Sequence, residues 1–326
     1  MSLISIDQTD LPYSMELCFA GAVCHLATNS SDLARSLESL SISTVHSETS
    51  GFHMRIVVND SSDENAGGPH FRGMQHVVTA SFGRSNLFVF DILRRTMSAS
   101  VSAAIARDQR FWKEKLIPIS LGVLGSAMGL VPVHCACLEL DGDGLLIAGV
   151  SGVGKSTLSA ALSQDGFNYV SDDWTYISRR RGGIVAHGTS APVKLLPDAL
   201  NHFRTLERHR LGKSMNGELA YEVDIAEAFG ARVQRSCEPR WIVFLERSQA
   251  AGAVFTPMSS ARAKNYVNSS VERLPPQLFE AVAMREQTIE EVAKLPSWHF
   301  QYGGTPQFGA RELREFVVHR RQEIYV

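Results

Sequence analysis

The sequence predicts an α/β core preceded by a small α+β unit. Three observations carry this. The apolar runs Gly144–Ala148 (GLLIA) and Trp241–Leu245 (WIVFL) are continuous, as strands covered on both faces are. Between the first of them and the next strand, Phe167–Ser171, lies a helical pattern at Ser156–Ser163, with Leu158, Ala161 and Leu162 on one side. The first hundred or so residues instead run strand, helix and several strands, without that βα alternation.

The elements follow in order. Residues 14–24 read as a strand, and Ser31–Leu40 as a helix with Ser30, Ser31 and Asp32 as N-cap candidates. His53–Val58 is a second strand, and Asn59–Gly73 has the composition of an exposed loop or hairpin end. Strands are expected at Gln75–Ser81 and Leu87–Phe90. Arg110–Lys115 reads as a charged break, which places a boundary between an N-terminal α+β domain (1–112) and a second domain (113–326). Ile117–Val133 is uncharged but interrupted by Gly and Pro, so it is expected as a buried helix and not as a membrane span. Pro132–Glu139 is a strand, joined by the tight turn Asp141–Gly144 to the GLLIA run. Arg179–Gly183 reads as a hairpin turn.

Composition bounds the partners. The 326 residues carry a net charge of −2, with 44% hydrophobic and 20% charged residues. Nothing in that balance attracts nucleic acid or an anionic membrane, so neither is an expected partner. The N-terminus lacks a basic region followed by an apolar run, the pattern of a signal peptide. Cys18, Cys24, Cys135, Cys137 and Cys237 show no zinc-ligand spacing and are expected as buried, reduced thiols of a cytoplasmic protein.

The segment Gly149–Thr157 (GVSGVGKST) matches G-x-x-x-x-G-K-[ST], in the strand–loop–helix context the motif requires. Glycines let the backbone curl so that successive N–H groups point at phosphate oxygens, and the helix N-terminus adds its positive end. The expected phosphate-binding set is Gly149, Ser151, Gly152, Val153, Gly154, Lys155, Ser156 and Thr157. Lys155 supplies charge to the β- and γ-phosphates and the Ser156 hydroxyl a ligand for Mg²⁺. ATP and Mg²⁺ are therefore the expected cofactors.

Asp172 and Asp173 follow directly on the next strand. Two carboxylates there can divide two jobs. One is associated with the metal and the other accepts the proton of an attacking hydroxyl. His134, just before the strand leading to the loop, is either a packed residue or a second phosphate contact. Weaker candidates are Lys194, Asp198 and Arg247, and a basic stretch with His202, Arg204, Arg208, His209, Arg210 and Lys213, followed by an Asn216-Gly217 turn. That stretch is either a solvated face or a lid over nucleotide or an acidic substrate.

His134, the run GLLIAGVSGVGKSTL and the segment GFNYVSDDW (Gly166–Trp174) together resemble the catalytic core of bacterial HPr kinase/phosphorylase and the wider set of HPr-kinase-related proteins. Leu245-Glu246-Arg247 and Leu295–Gly304 (LPSWHFQYGG) are also similar to that set. The resemblance covers roughly residues 113–326. It implies a P-loop kinase core related to the phosphoenolpyruvate carboxykinase nucleotide domain, and phosphoryl transfer from ATP to a serine hydroxyl. It implies Asp172 as acid/base, Asp173 as the metal-associated carboxylate and His134 beside the transferred phosphate. The LEIRG and GIIN stretches of true HPr kinase are absent; Ala191–Phe203 stands in their place. Relatives that phosphorylate ribosomally made peptides, including lasso-peptide precursors, make a serine-bearing peptide or protein the expected acceptor. Ring-forming relatives make a homo-oligomer an expectation too. The alternatives are a small-molecule kinase and a nucleotide-dependent sensor or scaffold with no acceptor.

Overall fold

A computed structural model describes residues 10–41, 51–61, 68–189, 191–214, 217–269, 271 and 274–325. It is a mixed α/β protein with several sheets, and the chain divides into two compact units. The first comprises Met1–Pro132, Ser178–Arg180 and Glu272–Thr288; the second comprises Val133–Ile177, Arg181–Val271 and Ile289–Val326. Among the described residues no helix is long and apolar enough to cross a membrane.

The first unit is built on a seven-stranded sheet. Its strands are β1 (Tyr13–Phe19), β2 (Ala22–Thr28), β3 (Phe52–Asn59), β4 (His70–Met74), β5 (Val77–Phe82), β6 (Asn86–Asp91) and β7 (Thr96–Ser102), in the order β1-β2-β3-β7-β6-β5-β4. The single strand expected over 14–24 is a hairpin, because Ala20 and Gly21 both take positive φ (48° and 79°), which matches the twist of two-residue hairpins. Helix α1 (Ser31–Leu40) is capped by Ser30, whose Oγ accepts from Leu33 N at 3.3 Å. The expected loop 59–73 ends in strand β4, paired with β5; residues 62–67 lie outside the described residues. Strand β7 was not anticipated, since its apolar side consists only of Met97, Ala99 and Val101, between small polar residues.

The charged break at 110–115 is helical. It runs from α2 (Ala103–Arg107) through α3 (Gln109–Phe111) and a π-turn, Trp112–Leu116, into α4 (Ile117–Leu124). Phe111 and Trp112 are fully buried and the Trp112 indole donates to Ile105 O at 2.8 Å, so packing overrides the local charge. The apolar stretch does not stay helical to Val133. Gly129 turns the chain at φ 76° into strand β8 (Leu130–Val133).

After β8 the chain forms β9 (Cys135–Leu140), β10 (Asp143–Ala148), α5 (Lys155–Gln164), β11 (Asn168–Ser171), β12 (Thr175–Arg180) and β13 (Gly183–His187). Next come a small sheet of β14 (Val193–Leu195), β15 (Leu211–Lys213) and β16 (Leu219–Val223), then α6 (Ile225–Phe229) and β17 (Ser236–Arg247). The chain ends with β18 (Ala253–Pro257), α7 (Ser260–Ser269), α8 (Phe279–Ala293), β19 (Ser297–Tyr302) and α9 (Pro306–Tyr325). The strand expected over 132–139 is interrupted at His134, which separates β8 from β9. The main sheet runs β11-β9-β10-β17-β13-β12, with β19 beside β17 and β18 beside β19.

One face of that sheet, with Leu145, Ile147, Val243, Leu245 and Phe300, packs on Leu158 and Leu162 of α5 and Leu313 and Val317 of α9. Each such side chain contributes about 1.5–3 kcal/mol when fully buried. At the far end of the sheet Arg321 of α9 donates to Asp143 Oδ2 at 2.8 Å and Asp141 Oδ2 at 2.7 Å, pinning the helix to the β9–β10 turn. All five cysteines are free thiols; Cys137 and Cys237 share a thiol hydrogen bond of 3.4 Å and no disulfide.

Strand direction positions the chemistry. β10, β17 and β19 run parallel, β9 runs against β10, and β11 against β9. The carboxyl ends of β10, β11, β17 and β19 therefore share one end of the sheet with the start of β9. Ligands in α/β proteins bind at such an end.

Candidate functional site

The loop between β10 and α5 occupies that end. Gly149 begins it under close contact: a Cβ there would meet Val153 Cγ1 at 2.8 Å and Leu245 O at 3.1 Å. Gly152 and Gly154 take φ of 78° and 100°, which glycine adopts without strain. The helix starts at Lys155, leaving its first backbone N–H groups toward the loop. Val150 is 67% exposed at the rim.

Lys155 is buried, and its Nζ donates to Gly149 O at 2.9 Å and Val150 O at 3.3 Å. Burial lowers its pKa, opposed by the charges of Asp173 and Asp172. The ammonium is thus parked on the loop's own carbonyls, with two carboxylates in electrostatic range. Cys135, opposite Ala148 in the hairpin register, lies beside it; burial pushes that thiol up to about 12, so it stays protonated.

Asp172 is buried, with the Ser156 hydroxyl near enough to favour its charged form. Its Oδ1 has no hydrogen-bond partner among the described residues. Burial pushes the carboxyl up to about 7, and the neighbouring Asp173 charge adds to the rise, against the Ser156 hydroxyl and the charges of Lys155 and His134. Asp173 differs. Its side chain is 66% exposed and its Oδ1 lies 3.0 Å from His134 Nε2. Although partial burial pushes its carboxyl up, the His134 bond and the charges of His134, Lys194 and Lys155 outweigh this and hold it below the usual carboxylate range. Adjacent carboxylates thus sit in opposite environments.

The Trp174 ring tilts against His134, centroids 5.4 Å apart, and remains 36% exposed at the mouth. Behind Asp172, Ser171 and Thr175 share a hydrogen bond of 2.6 Å, and Thr175 also donates to Cys135 O at 2.8 Å. These bonds hold the turn that presents both carboxylates.

The structure thus brings together His134, the Gly149–Thr157 loop, Asp172, Asp173 and, through its charge, Lys194. Asp198 lies on an exposed 3-10 turn, Pro197–Asn201. The basic stretch forms a second 3-10 turn, Arg204–Arg208, and strand β15, with Arg204, Arg208, Arg210 and Lys213 exposed. Asn216 lies outside the described residues.

Two neighbours of the site carried no local signal. Cys135 is legible only from the hairpin register. Tyr266 reaches the sheet from α7, its ring 4.7 Å from Phe244, and burial raises its phenol, with Cys135 adding to the rise. No sequence spacing relates residue 266 to residue 135.

The donor chemistry fits Mg²⁺. Ser156, Asp172 and Asp173 offer hard oxygen atoms, one of them buried and unpaired. Among the described residues no three His, Cys, Asp or Glu side chains converge as a cage for a metal ion. Mg²⁺ needs none, because it binds through one or two carboxylates plus substrate phosphates.

No protein-family model matches the sequence, and no curated protein matches it. Among solved structures, the Hpr(Ser) kinase/phosphatase from Coxiella burnetii aligns with a TM-score of 0.34 and 14% sequence identity, over 60% of this chain and 92% of that chain.

Proposed function

We propose that the protein is an ATP- and Mg²⁺-dependent kinase that transfers the γ-phosphate to a hydroxyl, the serine of a peptide or protein. The observation that carries this reading is the closeness of Asp172 to Ser156 beside the glycine loop, with one buried carboxylate oxygen unsatisfied. A buried unpaired oxygen costs about 1–3 kcal/mol unless a ligand satisfies it. The resemblance to HPr-kinase-related sequences supports the same reading.

In this mechanism the loop N–H groups of Ser151–Gly154 hold the phosphates in line. Lys155 leaves the carbonyls of Gly149 and Val150 for the β- and γ-phosphate oxygens. Ser156 and Asp173 would hold Mg²⁺, which would supply charge neutralisation to the phosphates. Asp172 accepts the proton of the acceptor hydroxyl as its oxygen bonds to the γ-phosphorus and the bridging bond to the β-phosphate breaks, releasing ADP. His134 fixes Asp173. The exposed Trp174 and Asp173 leave the mouth open, which suits a peptide chain better than an enclosed metabolite.

The test is transfer from γ-labelled ATP with Mg²⁺ to a panel of serine peptides, including one ending in a free C-terminal serine. Labelled peptide with wild type, lost in both Lys155→Ala and Asp172→Asn, is the expected result. ATP binding without labelled peptide would move the assignment to a small-molecule kinase or a nucleotide sensor.

A further inference from the structure

The phosphate chain has two ends, and the site above accounts for one. Asp172, with the Ser156 hydroxyl near it, follows β11, so on the phosphate-site reading the γ-phosphate lies toward the β9 and β11 side of the loop. The nucleoside end must then leave over the other neighbour of β10, which is β17 with β19 beyond it. Gly149 packs on Leu245 of β17, and Arg247 stands two residues further on, about 7 Å along the strand. That is the scale of the step from an α-phosphate to its base.

Arg247 is held over an aromatic ring. Its guanidinium carbon lies 4.2 Å above the Tyr302 ring centroid, and Nη2 donates to Gly304 O at 2.6 Å. Tyr302 is buried, so the ring is a fixed support, while Arg247 is exposed. The backbone below is tied down: Ser248 N donates to Tyr302 O at 2.9 Å and Gly303 N to Gly252 O at 3.0 Å. A Cβ on Gly303 would sit 2.0 Å from Ala250 O, so that approach requires glycine.

Resting on the phosphate-site reading, we propose that the outward face of Arg247, backed by Tyr302, is the platform on which the purine base of the nucleotide stacks. A guanidinium held over an aromatic ring keeps its outer planar face free for a base to stack on. The role is distinct from charge pairing with phosphate, which lysine would also perform.

The test compares binding of Mg·ATP and Mg·tripolyphosphate to the full chain by calorimetry. The expected wild-type result is tighter binding of ATP than of tripolyphosphate. Arg247→Ala is expected to weaken ATP about tenfold. It should leave tripolyphosphate within about twofold, which also reports that the variant is folded. Arg247→Lys is expected not to restore ATP binding. Equal weakening of both ligands, or recovery in Arg247→Lys, would overturn the platform and make Arg247 a phosphate contact. An unchanged ATP affinity in Arg247→Ala would overturn it while leaving the phosphate site standing. Wild type that binds neither ligand would overturn both.

Discussion

His134 Nε2 stands 3.0 Å from Asp173 Oδ1, and the same imidazole leans on the Trp174 ring at 5.4 Å. The residue before β9 and the second residue after β11 are thereby locked together at the mouth of the site. Partners of this kind orient metal-binding carboxylates, and removing them costs about 10–100-fold in metal affinity. His134→Ala is expected to raise the Mg²⁺ concentration needed for half-maximal transfer by that factor, with saturating ATP. Initial rates across a Mg²⁺ titration check this, and an unshifted curve would remove His134 from any role in holding Asp173.

Asp172→Asn is expected to keep nucleotide affinity and lose transfer by about 10²–10⁴-fold, since it removes the proton acceptor. It should also stabilise the ligand-free protein at pH 8. Burial raises the Asp172 carboxyl to about 7, so above that pH the folded state holds a charge that the unfolded state carries at no cost. The gain is about 2–4 kcal/mol. Thermal melts at pH 8 and at pH 4 separate the effect, which should vanish at the lower pH.

His187, buried in β13, has its pKa lowered by burial to about 4. The unfolded state takes up its proton first as pH falls, so this group's contribution is full above the ordinary value of 6.5 and is lost progressively as pH falls toward 4. The loss is up to about 3 kcal/mol. Asp172 titrates in an overlapping window with the opposite sign, so the measurement is the difference between wild type and His187→Asn in urea midpoints from pH 7 to pH 4. A constant difference across that range would mean that His187 does not titrate differently on folding.

Gly188 follows β13 where the chain passes β11. A Cβ there would lie 1.8 Å from Val170 O and 2.8 Å from its carbonyl carbon, both backbone atoms. Gly188 N also donates to Arg235 O at 3.0 Å, so the glycine is tied in place. Gly188→Ala is expected to cost about 3 kcal/mol, seen as a lowered denaturant midpoint. Gly212→Ala, where an added Cβ meets nothing within 4 Å, is the control and should change little.

The sequence by itself determined the local chemistry. The glycines of the loop, the helix starting at Lys155, the turn at Asp141-Gly142 and the carboxylates after β11 were all legible, because each depends on neighbours within a few residues. The same holds for helix α1 and its Ser30 cap. Tertiary structure decided what distant residues do to one another. Phe111 and Trp112 made a helix of a charged break by burying. Asp172 and Asp173, identical in kind and adjacent in chain, were driven to opposite protonation preferences, one by desolvation and the other by a histidine nearly forty positions earlier. The contact of Arg247 with Tyr302 spans two parallel strands whose register no local pattern encodes. Short-range sterics and hydrogen bonding write themselves into sequence; desolvation and charge pairing depend on which strands become neighbours, and that is settled only when the core packs.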